Sequence, residues 1–285
     1  MKRNNLVLFL CVLMLSICGC VTQPAVETPP TQAEPVRIAL IDTGISQKAI
    51  SVSQIAEGKN YILPDADTTD IIGHGTAMAS IIVGCDAAGI SGVCPSAILV
   101  PLVYHSEDES GEQVKGDVEM LSQIIRDAID VYDCKIISIS AGSLTDSPSL
   151  ASAVVYAEEM DVLVVASAGN DGNDTAYYPS CYDNVLCVGA VNESLNGIAL
   201  FSNSNGSVDI LAPGENVTVA TKRGNAMVYS GTSCATAYVS AFAAHLLAEN
   251  PTLSAKELRS RIIASAQTVD GWKILNAEDC QEKIT

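Results

Sequence analysis

The chain has 285 residues, 48% of them hydrophobic and 17% charged, enough apolar material to bury the core of one large α/β domain. Lys and Arg number 15 against 33 Asp and Glu, a formal net charge of −18. That excess of acid argues against nucleic acid and anionic membrane surfaces as partners, and by charge alone favours cationic substrates.

Lys2 and Arg3 precede an apolar run at 6–17, too short to cross a bilayer as a mature helix, so the first twenty residues read as an export segment that is removed. Its end, Leu15-Ser16-Ile17-Cys18-Gly19-Cys20, resembles the lipobox of prokaryotic lipoproteins, with Gly19 before the cut and Cys20 as the lipidated first residue. An ordinary secretory peptide is the alternative, and either way export is expected. Residues 21–35 carry Pro24, Pro29, Pro30 and Pro35 among Thr, Gln and Glu, the composition of an extended tether, which leaves 36–285 as the folded domain. Outside the cytoplasm cysteines can pair. Cys85 with Cys94 and Cys181 with Cys187 are the expected disulfides, because each pair flanks a short loop, and Cys234 is the expected free thiol. No Cys/His spacing suits zinc.

From there the chain alternates. Residues 36–41 are a short apolar, β-branched run predicted as a buried strand, with Asp42-Thr43-Gly44 at its C-terminal edge, where open parallel sheets build their sites. His74 stands between Gly73 and Gly75, ahead of a small-residue stretch suited to a tightly packed helix. A strand-to-helix corner is predicted there, with the glycines clearing space around the imidazole. Residues 97–104 read as a strand and 107–116 as an acidic loop, while Val118, Leu121, Ile124, Ile125, Ala128, Ile129 and Tyr132 recur at helical spacing. A strand at 135–140 ends in Ser140-Ala141-Gly142; after a helix at 148–160, a strand at 162–166 ends in Ser167-Ala168-Gly169-Asn170. Shorter strands at 185–191, 208–211 and 217–221 lead to Gly231-Thr232-Ser233 and an Ala-rich helix, and Ser254-Ala255-Lys256-Glu257 has the spacing of a capping box that starts a last helix. This alternation predicts a doubly wound, mostly parallel sheet with helices on both faces, in a single domain.

An acid, an imidazole, an amide and a serine thus each stand at an edge that such a sheet gathers on one side. A hydroxyl at a helix N-terminus lies beside unpaired N–H groups that favour developing negative charge, and a primary amide donates to an oxyanion without adding a titrating group. Together, Asp42-Thr43-Gly44, Gly73-His74-Gly75-Thr76, Ala168-Gly169-Asn170 and Gly231-Thr232-Ser233 resemble, in order, the four signature blocks of the subtilisin-like serine proteases over roughly 36–266. The resemblance implies a serine endopeptidase with Ser233 as nucleophile, His74 as base and then acid, Asp42 holding the imidazole, and Asn170 with the Ser233 N–H as oxyanion donors. It implies that Ser140, Ala141 and Gly142 form the edge that pairs with an extended peptide. The chemistry needs no cofactor or metal, and the 85–94 loop has no clear match to the calcium sites of the family. Cys234 and Ala237 stand where the family usually has Met and Pro. The competing reading is a catalytically silent binding module at the cell surface, but such relatives usually lose a triad residue and this chain keeps all three. Asp171 and the net charge favour a basic residue before the scissile bond, with a pocket narrowed by Tyr177 and Tyr178 as the alternative, and a monomer without nucleic-acid partners is expected.

Overall fold

A computed structural model describes residues 34–108 and 110–275, so the export segment with Cys20, nearly all of the tether, and Cys280 lie outside the described residues. The central sheet is nine-stranded. Its strands are β1 Arg37–Asp42, β2 Lys59–Asn60, β3 Ile98–Val103, β4 Ile136–Ile139, β5 Leu163–Ser167, β6 Val185–Val191, β7 Ile210–Pro213, β8 Gln267–Val269 and β9 Trp272–Ile274. They lie in the order β8-β9-β7-β6-β5-β4-β1-β3-β2, and every neighbouring pair is parallel except the β8/β9 hairpin.

Both faces of the sheet are covered, which is why its strands read as continuous apolar runs. Helices α1 His74–Val83, α4 Thr232–Glu249 and α5 Ala255–Ser265 pack on one face; α2 Val118–Asp130 and α3 Pro148–Glu159 pack on the other. Successive side chains of β1 divide between them. Ile38 and Leu40 join the core that holds Met78, Ile82 and Phe242, whereas Ala39 and Ile41 join the one that holds Leu121, Ile125 and Val154. Each fully buried Leu, Ile, Val, Met or Phe among them contributes about 1.5–3 kcal/mol of hydrophobic stabilisation. Helix α4 is buried almost all round, and its run of alanines lets it lie close against α1 and the sheet.

The capping box forms as predicted: Ser254 Oγ accepts from the Glu257 N–H, and the Glu257 carboxylate accepts from the Ser254 N–H at 3.0 Å. Asp117 caps α2 by accepting from the Met120 N–H at 2.8 Å. Several hairpins were not legible as such, among them β8/β9 and Gly84–Cys85 with Ile90–Ser91. The acidic loop is a ribbon of His105–Glu107 against Gln113–Lys115, and Val217–Ala220 pairs with Ala226–Tyr229. His74 is the first residue of α1, but it follows an irregular loop instead of a strand.

Neither expected disulfide is formed, and the six described cysteines are free thiols. Cys85 faces Ile90 across a two-residue ladder, while the Cys94 N–H bonds back to the Ile82 carbonyl, so their register sets them out of opposition. Cys187 is sealed inside β6 beside the Ser180 and Ser207 hydroxyls, and Cys181 turns towards Tyr178. Burial pushes the thiols of both Cys187 and Cys234 up to about 12, which keeps them protonated and unreactive.

The chain runs from β1 to β3 on one side of it and then returns to β4 on the other. This reversal opens a crevice beyond the C-terminal ends of the central strands.

Candidate active site

Asp42 ends β1 at that crevice, 5% exposed, and its Oδ1 lies 2.7 Å from His74 Nδ1. The same oxygen accepts from the Thr43 N–H at 2.8 Å. Burial by itself lowers the His74 pKa, but the Asp42 charge, the hydrogen bond to it and the charge of Asp70 together raise it above the ordinary histidine value. The imidazole is therefore a strengthened base held in one orientation. Tyr229 packs edge-on against the ring, with centroids 5.7 Å apart.

Asp70, unremarkable in the sequence, holds the loop that delivers His74. It is 2% exposed. Its Oδ1 accepts from Thr43 Oγ1 at 2.9 Å, the Ile72 N–H at 3.1 Å and the Gly73 N–H at 2.7 Å. Oδ2 accepts from the N–H and hydroxyl of Thr76 at 2.8 and 2.6 Å. A carboxylate here answers the unpaired N–H groups of the first turn of α1 and ties them to the end of β1. The signal that could have found it is an Asp followed six residues later by Thr across a Gly-His-Gly turn. Gly75 does something other than clear room for the imidazole. A Cβ on Gly75 would lie 2.2 Å from the Gly44 carbonyl oxygen, so its absence lets α1 meet the end of β1 backbone to backbone.

Asn170 follows β5. Its Oδ1 accepts from the N–H and the hydroxyl of Thr232, both at 2.9 Å, so the acceptor end of the amide is fixed and its NH2 is turned outwards. Buried Asn203, also missed in the sequence, supports this loop by donating to the Ala168 and Thr175 carbonyls and accepting from the Asp171 N–H at 2.8 Å. Gly169 has φ of 108°, and a Cβ there would lie 2.5 Å from Asn203 Nδ2, so its smallness serves the supporting side chain as well as any substrate. The Asp171 carboxylate is itself engaged, by Asn203 Nδ2 at 3.2 Å and by the Tyr177 hydroxyl.

Ser233 is the second residue of α4 and 7% exposed. A Cβ placed on Gly231 would lie 3.6 Å from Asn170 Nδ2 and 3.8 Å from the Ser233 nitrogen, so both donors border the space that this glycine leaves open. Asp42, His74, Asn170, Ser233 and the segment Ser140-Ala141-Gly142 all line one cavity of about 570 Å³. Among the described residues no hydrogen bond joins His74 to Ser233, and no backbone hydrogen bond uses the N–H or C=O groups of Ser140, Ala141 or Gly142. Apart from the Gly142 carbonyl, which accepts from Lys115 Nζ at 2.6 Å, that edge is open to pair with an added strand.

Residues 34–279 match the family model described as the subtilase family. The chain belongs to this family. Among its relatives, subtilisin DY of Bacillus licheniformis is 32% identical over 81% of this chain and 83% of its own length. Subtilisin Savinase of Lederbergia lenta is 31% identical over 90% of this chain and 95% of its own. The solved protease domain of PatA superposes with a TM-score of 0.76 at 28% identity, covering 89% of this chain and 97% of that one. The doubly wound architecture is thus the subtilisin fold, and this subtilase is a serine-type endopeptidase that binds peptide substrates.

Proposed function

We propose that this subtilase is an exported endopeptidase working through Asp42, His74 and Ser233, with Asn170 and the Ser233 N–H as its oxyanion hole. The observation that carries this reading is the Asp42–His74 hydrogen bond of 2.7 Å in a cavity that also receives Ser233 and the outward NH2 of Asn170.

With a peptide paired along 140–142, Ser233 Oγ attacks the scissile carbonyl while His74 Nε2 takes the hydroxyl proton. The C–O bond forms, and negative charge moves to the carbonyl oxygen between Asn170 Nδ2 and the Ser233 N–H. Asp42 stabilises the imidazolium. His74 then gives its proton to the leaving nitrogen as the C–N bond breaks, and water repeats the sequence to free the acid. Hydrogen bonds in such sites tighten when substrate excludes water, so an unliganded His74 and Ser233 without a direct bond are compatible with this path.

Export rests on Lys2, Arg3 and the apolar run that follows, and anchoring on Cys20 in its lipobox-like setting. Glu34, the first described residue, precedes β1 at its N-terminal end, whereas Asp42 stands at the other.

A fluorophosphonate probe tests the reading. Stoichiometric labelling of Ser233 in native protein, abolished by S233A and suppressed by His74→Ala, is expected. A folded protein whose Ser233 stays unlabelled, alongside no cleavage of denatured casein, would favour the silent binding module.

A further inference from the structure

Basic side chains are scarce in a chain of net charge −18, yet three of them border the two cavities that meet at His74. Lys115 lines the cavity that holds Asn170 and the 140–142 edge. Lys222 and Arg223 line a second cavity of about 550 Å³, which shares Ile72, His74 and Tyr229 with the first. The oxyanion donors and the substrate edge belong to the first cavity, so it takes the acyl half of a substrate. The second contains neither but shares His74, the group that protonates the leaving nitrogen, so it is assigned the leaving half.

Among the described residues no carboxylate neutralises these cations, and none of the three forms an ion pair. The Lys115 ammonium donates to the Gly142 carbonyl oxygen at 2.6 Å and stands 5.9 Å from the centre of the Tyr104 ring. Much of its side chain is open to solvent, but the protein around its ammonium lowers its pKa below the ordinary lysine value by desolvation. Lys222 donates to the Ile71 carbonyl, and the Arg223 guanidinium has no partner among the described residues. The carboxylates of the first cavity are committed, Asp42 to His74 and Asp171 to Asn203 and Tyr177, and the second cavity has none.

We propose that the cleft selects acidic peptides, with Lys115 taking a carboxylate on the acyl side of the scissile bond and Lys222 with Arg223 taking another on the leaving side. The proposal rests on the protease reading above and names its substrate class. It reverses what net charge alone suggests, for a physical reason. The distributed surface charge is screened within about 8 Å at physiological salt, whereas an ammonium in a concave, low-dielectric site acts at contact range. A peptide strand paired along 140–142 brings its own carboxylate to Lys115, beside the one carbonyl of that edge which is already occupied.

The test uses the full chain and alanine-based peptides carrying a single Glu or Gln at each position from four before to three after the cleaved bond. Wild type is expected to cleave the best Glu peptide on each side about tenfold faster, in kcat/KM, than its Gln twin. K115M should erase the acyl-side ratio and keep the leaving-side one, the K222Q/R223Q double variant should do the converse, and K115E should favour Lys peptides on the acyl side. Because each ratio is taken within one protein preparation, partial misfolding does not alter it. Calorimetric binding of the same peptides to S233A decides the charge proposal even where nothing is cleaved, a result that by itself would sink only the protease reading. Equal rates and equal binding for Glu and Gln, or a preference unchanged by these variants, overturn it.

Discussion

Asn170 receives both the N–H and the hydroxyl of Thr232 on its Oδ1, each at 2.9 Å, across a chain separation of 62 residues. In the proposed mechanism, the helix that carries Ser233 therefore also sets the direction of the Asn170 amide that would stabilise the charge Ser233 creates. Asn170→Ala removes a donor that acts only in the transition state. The expected result is a 10²- to 10³-fold fall in kcat, about 3–4 kcal/mol, with KM nearly unchanged. Equal changes in both constants would point to a binding role instead.

Gly231→Ala separates stability from chemistry. Its extended φ of 165° suits alanine, and the new methyl would make contacts of 3.5 Å or more with Tyr229, Asn170 and Ser233. The fold should tolerate it, with a melting temperature within a few degrees of wild type. Yet the methyl occupies the space bordered by both oxyanion donors, so kcat should fall by on the order of 100-fold. Retained activity in folded protein would place the anion elsewhere.

The pH profile follows from the raised His74 pKa. Neutral imidazole is the base, so kcat/KM rises as His74 loses its proton, and a raised pKa moves that rise upwards. The acid limb should have its midpoint above the ordinary histidine value of 6.5. Asp42→Asn should shift it down while lowering kcat by about 10⁴. By linkage, the same raised pKa stabilises the fold below the unfolded-state value, and that contribution fades as pH rises through the folded one. A midpoint at or below 6.5 would contradict the Asp42 effect.

Asp70→Ala should cost stability as well as rate. It strands the donors of Thr43, Ile72, Gly73 and Thr76 in a buried loop. A loss of about 3 kcal/mol is expected, seen as a melting-temperature drop of roughly 10 °C. The remaining folded enzyme should also lose kcat, because α1 no longer holds His74 towards Asp42. A variant with wild-type stability and rate would remove Asp70 from the site.

Much of this protein was legible before any coordinates. The run 36–41, the helical spacing from Val118, the strand at Val185–Val191 and the Ser254 to Glu257 capping box are local signals, carried by side chains whose burial or hydrogen bonds repeat at short intervals, and each formed close to its expected place. The blocks around Asp42, His74, Asn170 and Ser233 stand out in the sequence too, because each sets a polar side chain among small residues within a few positions. The ribbon at 105–115 was not, since its polar strands lack apolar alternation and are held by pairing with each other.

What only tertiary structure decided is how distant groups meet. Asp70 and Asn203 are ordinary polar residues along the chain, and they become the organisers of the site because the fold surrounds them with backbone N–H and C=O groups that need partners. Cys85 and Cys94 look pairable by spacing, but strand register places them out of opposition. The sequence by itself determined an acidic chain. The tertiary fold brought Lys115, Lys222 and Arg223 to the two cavities that share His74, because long-range packing alone sets which charges share a cleft.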